Sequence, residues 1–169
     1  VYPHASHAEI PRVVQDRQGR LWIGTRQGVL RCDGTSLVPL EGLVGRRVSA
    51  IFEDRDGTLW FGGEDGVWSY ADGTLTPLAG LPGTCASAIF QDRDGILWFA
   101  TGAGAVRYDG RSFAALRTGL AGTVKSIVQD RDGDLWFAAY GLSRYDGNVA
   151  DLILSEAPLA LKAISVAAR

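Results

Sequence analysis

The chain has 169 residues, 46% of them hydrophobic and 21% charged, with a formal net charge of -2. That is enough for one core-forming domain, and it excludes the broad basic field that nucleic acid or an anionic membrane surface would require. No run approaches the roughly 18 apolar residues that span a bilayer, and Val1 to Ile10 has neither the basic nor the apolar region of a secretion signal, so direct membrane insertion is not expected.

Tryptophan recurs at Trp22, Trp60, Trp98 and Trp136, a step of 38 residues each time, so the chain is one unit repeated four times. In register, the units open with Val13-Val14-Gln15-Asp16, Ile51-Phe52-Glu53-Asp54, Ile89-Phe90-Gln91-Asp92 and Ile127-Val128-Gln129-Asp130, each followed by a turn and Leu-Trp. This predicts a hairpin. Asp54-Arg55-Asp56-Gly57 and its counterparts supply carboxylates that bond their own backbone and a glycine for positive φ. A second break falls at Gln27-Gly28, Asp65-Gly66, Ala103-Gly104 and Tyr140-Gly141, followed by a third strand. Asp-Gly at 33-34, 72-73, 109-110 and 146-147 then suits a type I′ turn into a weaker fourth strand.

A four-stranded meander of this size cannot cover both faces alone, so each must stack on a neighbour, and radial stacking makes a β-propeller. The expected fold is all-β: four-stranded antiparallel blades at 10-47, 48-85, 86-123 and 124-154, the run ending at Asp16, Asp54, Asp92 and Asp130 lying innermost. The tryptophans fill the interfaces between blades as structural core. Residues 1-9 read as a tail or the end of a preceding blade's outer strand. Residues 155-169 read as the start of a fifth blade or a closing segment, Leu161 to Val166 aligning with Val124 to Gln129, although alanine and leucine from Ala157 also permit a helix. Cys32, which stands where later units have tyrosine, and Cys85 read as unpaired.

The phrases Asp54-Arg55-Asp56-Gly57-Thr58-Leu59-Trp60-Phe61-Gly62 and Val106-Arg107-Tyr108-Asp109-Gly110 resemble the two-component regulator propeller repeat, over residues 10 to about 154. The resemblance implies a sensory region of a bacterial hybrid two-component sensor kinase, periplasmic or extracellular, built as a seven-bladed ring and responding in several cases to carbohydrate breakdown products. Four units instead of seven suggest a piece of a longer ring, a closed four-bladed ring, or a half ring completed by self-association.

Chemistry is sparse. Asp54 with Asp56, Asp92 with Asp94 and Asp130 with Asp132 fall short of the six to eight oxygens calcium takes, so they read as turn formers, and no metal or cofactor is expected. The sialidase Asp-box differs, since Asp56 and Gly57 are adjacent. His4 and His7 both precede the first unit, which weakens the rival reading of a streptogramin-lyase-like propeller enzyme. Since repetition marks the scaffold, binding is sought where units diverge: Arg46 and Arg47, Glu64 and Asp65, and Lys125 map to one rim. The expected function is a non-catalytic sensory or interaction module that binds a small polar ligand, carbohydrate included, or another propeller domain, with self-association. A purely structural scaffold is the third reading.

Overall fold

The computed structural model describes residues 12-116 and 123-154. The expected ends at 1-9 and 155-169, and His4 and His7, lie outside the described residues. Among the described residues sixteen strands form four antiparallel four-stranded sheets, each a meander in chain order. The first sheet is β1 (Arg12–Gln15), β2 (Leu21–Thr25), β3 (Gly28–Asp33) and β4 (Ser36–Pro39), and the second is β5 (Val48–Glu53), β6 (Leu59–Gly63), β7 (Gly66–Ala71) and β8 (Thr74–Pro77). The third is β9 (Ala86–Gln91), β10 (Leu97–Thr101), β11 (Gly104–Tyr108) and β12 (Phe113–Leu116). The fourth is β13 (Ser126–Gln129), β14 (Leu135–Ala138), β15 (Leu142–Tyr145) and β16 (Ala150–Leu154). First strands of successive sheets touch one another, which puts them on the inner side of the stack.

One carboxylate organises each blade. Asp16, Asp54, Asp92 and Asp130 follow the first strand, and their Oδ1 accepts the backbone N–H groups two and four residues on, for Asp54 those of Asp56 at 3.0 Å and Thr58 at 2.9 Å. Their Oδ2 accepts the indole N–H six residues on, at 2.8 Å from Trp22 and 2.7 Å from Trp60, Trp98 and Trp136. The turn bonds were legible in the sequence; the indole bond is an addition. It ties the turn to the orientation of the ring that leaves the sheet. In the turn itself Gly57 adopts φ 84°, a conformation that a residue with Cβ resists.

The asparate-held indoles wedge against the next blade. Trp22 lies 5.6 Å from Phe61 and 5.4 Å from Tyr70 between ring centroids, Trp60 lies 6.1 Å from Phe99 and 6.5 Å from Tyr108, and Trp98 lies 5.7 Å from Phe137 and 5.8 Å from Tyr145. Each trio is inclined, from tilted to edge-on, a geometry that suits the ring quadrupoles. The core consequently divides into three apolar clusters, one per junction. Close approach of one blade's second strand to the next blade's first strand needs small residues: a Cβ on Gly62 of β6 would sit 2.9 Å from the carbonyl oxygen of Ala86 on β9. Trp22, Trp60 and Trp98 are buried, whereas Trp136, with no sheet beyond it among the described residues, is half-buried.

The Asp-Gly turns are less uniform than the sequence implies. Only Asp72-Gly73 forms a two-residue loop with both φ values positive, 50° and 80°, as type I′ requires. In the first blade the loop shifts to Gly34-Thr35, since Asp33 pairs with Ser36. Asp109 and Asp146 open four-residue loops instead, because each carboxylate accepts the N–H groups two and three residues on.

Replacing Asp54 with asparagine sets an amide N–H or a weaker neutral acceptor against the Trp60 indole. Asp54→Asn is expected to lower the unfolding free energy by about 2 kcal/mol, read from the urea midpoint; a change within about 0.5 kcal/mol would deny the lock its role. The pH response follows from Asp16 and Asp130. Burial pushes the Asp16 carboxyl up, but the bonds from Trp22 and Arg20 outweigh it and hold the carboxyl below its ordinary range. The Trp136 indole does the same for Asp130, assisted by the N–H groups of Asp134 and Asp132. Folded values lie below unfolded ones, so this stability is complete above the ordinary aspartate pKa of about 3.9 and declines as pH falls through the folded values. Urea titrations from pH 6 down to about pH 2 should show a falling unfolding free energy beginning near pH 4.

Candidate functional site

The antiparallel meander sorts the loops to two ends. One end carries the first-to-second strand turns, nearly identical from blade to blade, together with the third-to-fourth strand turns. The other carries the connections from second to third strand and the segments that enter each first strand, where the units differ.

At the uniform end, arginines staple the blades. The Arg55 backbone N–H donates to Gln91 Oε1 at 2.9 Å, while its guanidinium donates to the carbonyls of Arg93 at 2.7 Å and Asp92 at 2.7 Å. Arg93 repeats this on Gln129, Arg131 and Asp130, and Arg17 uses Glu53 and the Arg55 carbonyl. A cleft of about 570 Å³ opens at this end between the first two blades, lined among others by Arg17, Arg20, Glu53, Asp56, Tyr70 and Asp72. Its principal charges already have partners: Glu53 accepts the Arg17 N–H at 2.9 Å, and Arg20 Nε lies 2.7 Å from Asp16.

At the variable end the structure brings four of the five expected site residues together. Arg46 Nη1 lies 3.1 Å from Asp65 Oδ2, and Arg47 Nη1 lies 3.0 Å from Glu64 Oε1. Chain geometry enforces this, because the segment entering β5 runs beside the β6–β7 connection, where the Glu64 N–H donates to the Arg47 carbonyl at 3.4 Å. The Arg46 guanidinium also sits 5.3 Å from the centroid of the Trp68 ring, an aromatic that stands where other units have Leu30 and Val106. Lys125 is exposed on the fourth blade, where its backbone N–H donates to the Ala138 carbonyl at 2.7 Å. Among the described residues no ion pair joins it to the other four. Tyr140, on the β14–β15 connection of the same end, is 73% exposed and was not among the expected site residues. Its signal was a lone aromatic where other units carry polar or small residues.

Cys32 and Cys85 are free thiols. Among the described residues no three His, Cys, Asp or Glu side chains converge to hold a metal ion, and no helix is long and apolar enough to cross a membrane.

Meander sheets stacked through aromatic wedges, with uniform turns at one end and divergent loops at the other, define a β-propeller segment. The chain belongs to the two component regulator propeller family, whose model matches residues 5–27, 42–65, 80–103 and 118–141, more than half its length. No curated protein matches the chain in sequence. It is similar in structure to the extracellular domain of the hybrid two component system BT3049 from B. thetaiotaomicron, with a TM-score of 0.70 and 25% identity over 82% of this chain and 22% of that one. It is similar also to the extracellular domain of the one component system BT4673 from the same organism, with a TM-score of 0.77 and 22% identity over 94% of this chain and 23% of that one. Virginiamycin B lyase from Staphylococcus aureus shares the fold, with a TM-score of 0.69 and 17% identity over 94% of this chain and 59% of that one. The chain thus spans less than a quarter of the two sensor domains it matches.

Both rim pairs are solvent-exposed, so neither adds much to folding. Arg47→Ala and Glu64→Ala, singly and together, are expected to change the unfolding free energy by less than about 1 kcal/mol, with a coupling below about 0.5 kcal/mol in the double-mutant cycle.

Proposed function

We propose that the chain is a non-catalytic sensory segment that presents its variable rim, Arg46, Arg47, Glu64, Asp65 and Lys125 with Tyr140, to a small polar ligand outside the cytoplasmic membrane. The observation that carries this reading is the contrast between ends: where turns repeat, arginines and carboxylates serve blade junctions, and where loops diverge, Arg46 pairs with Asp65 and Arg47 with Glu64 in solvent. Such pairs can exchange a partner for a ligand at little cost to the fold. Opposite charges in adjacent pairs suit a ligand with many hydroxyls, which needs donors and acceptors side by side, and an exposed phenol ring such as Tyr140 offers a face to the C–H side of a sugar. Family membership supports a signalling role, and the two sensor domains of similar structure support an extracytoplasmic location.

Thermal melting against a panel of neutral and acidic mono- to tetrasaccharides tests the proposal. A ligand at a hundred times its Kd should add about 2.7 kcal/mol and raise Tm by several degrees. Tyr140→Ala and Arg47→Ala should weaken that shift about tenfold in ligand concentration while leaving the unliganded Tm unchanged. The sugar should be recovered unaltered. Turnover of a bound compound, abolished by chelation, would overturn the reading in favour of a lyase-like enzyme.

A further inference from the structure

Departures from the repeat occur at the turn end too, and two of them line opposite walls of the cleft of about 570 Å³ between the first two blades. One is Arg20, on the β1–β2 turn, where the other units have Thr58, Ile96 and Asp134. Its Nε donates to Asp16 Oδ2 at 2.7 Å, and its guanidinium carbon lies 5.5 Å from the centroid of the Trp22 ring, so the planar head is fixed from two sides. Nη1 and Nη2 of Arg20 have no hydrogen-bond partner among the described residues. The other departure is Asp72, the first residue of the β7–β8 loop. The carboxylates of Asp109 and Asp146 accept N–H groups of their own loops, and that of Asp33 accepts the Arg31 guanidinium. In the type I′ loop, with φ 50° at Asp72, the Asp72 carboxylate accepts no donor among the described residues.

Arg17 and Asp56 extend the two walls in the same sense. Arg17 Nη1 donates to the Arg55 carbonyl, but its Nη2 makes no counterpart of the bonds from Arg55 Nη2 to Asp92 and from Arg93 Nη2 to Asp130. The Asp56 carboxylate, like that of Asp72, has no donor among the described residues. Glu53 accepts the Arg17 N–H at 2.9 Å and ties the walls together. The first blade thus presents guanidinium N–H groups and the second presents carboxylates. Among the described residues neither Arg17 nor Arg20 forms an ion pair with Asp56 or Asp72. The rim is arranged in the opposite way, since Arg46 and Arg47 have closed on Asp65 and Glu64.

We propose that this cleft is a second binding site, separate from the rim, and takes a small zwitterion: an α-amino acid whose carboxylate is forked by the Arg20 Nη groups and whose ammonium is held by Asp72 and Asp56. Opposite charges held apart across a cleft do not satisfy each other, and a ligand that carries both signs meets both walls at once. A lone anion is repelled by the acidic wall and a lone cation by the basic one. A planar guanidinium already fixed by Asp16 and Trp22 suits bidentate capture of a carboxylate. The volume falls within the roughly 300 to 1,000 Å³ of small-molecule sites, and Gln18 and Thr58 in the lining favour a polar side chain.

Titration of the ¹⁵N-labelled 169-residue chain with glycine, serine and glutamine tests this. Serine or glutamine should give saturable shifts at the Arg20 Nε–H and at the Gly57 and Gly73 amides, with a Kd at or below about 1 mM. N-acetylation of the amino acid, or conversion of its carboxylate to the amide, removes one charge, and each should weaken binding about tenfold or more. Arg20→Thr installs the residue of the second unit, and Asp72→Asn leaves an Asn-Gly pair suited to the I′ turn. Both should weaken binding to the same degree with the tryptophan fluorescence of the parent. Shifts that stay linear to about 10 mM, or that survive removal of either charge or both substitutions, would overturn the proposal. Shifts at Arg46, Arg47 and Tyr140 without any at the cleft would overturn it too, while leaving the rim as a binding site.

Discussion

The bond between each repeat aspartate and the indole six residues later governs the structure. A carboxylate buried at the base of a hairpin must have its oxygens satisfied, and here the turn N–H groups take one oxygen while the indole takes the other. The indole thereby loses its freedom to rotate back over its own sheet. It projects across to the next blade, where phenylalanine and tyrosine receive it. One side chain thus sets both the turn within a blade and the distance and tilt between blades, and repetition every 38 residues converts a local bond into an architecture. The energetic weight lies in the aromatic burial, but its direction comes from the carboxylate.

This arrangement leaves the two ends of the stack unequal. Arginines at the turn end bond backbone carbonyls of the following blade, an interaction indifferent to side-chain identity there, so this end is committed to holding blades together. At the opposite end blades are joined through shorter side chains, the Ser49 hydroxyl donating to the Ala86 carbonyl and the Ser87 hydroxyl to the Val124 carbonyl. Loops there vary in sequence and charge, and the pairs Arg46–Asp65 and Arg47–Glu64 sit in solvent over the stacked blades. Under the proposed function, such a division would let a ligand reorganise the exposed pairs without loosening the core.

The four-bladed organisation was legible from tryptophan spacing and the Asp-Arg-Asp-Gly and Asp-Gly turns. What was not legible depended on contacts across one repeat. Arg55 reads as a solvated turn residue until the next blade brings the Asp92 and Arg93 carbonyls to it, and Asp54 reads as a turn former until the hairpin folds Trp60 back within reach. The expected I′ turn held only at Asp72-Gly73, since elsewhere an Asp carboxylate found its own backbone N–H groups or the register moved by one. At the rim, Arg46, Arg47, Glu64 and Asp65 were visible as departures from the repeat, but not their mutual pairing. Cys32, in the place of a tyrosine, read only as an unpaired cysteine. In the structure it falls on the leading face of the first blade, where among the described residues no indole arrives.

Hydrogen exchange of the five indole N–H groups, resolved in ¹⁵N spectra, tests the central bond most directly. Trp68 lies on a third strand without an aspartate partner and provides the internal reference. Slow exchange at Trp22, Trp60 and Trp98, faster exchange at half-buried Trp136 and the fastest at Trp68 is the predicted order. Equal rates at all five, matching those of free indole, would contradict the claim that buried carboxylates hold the rings.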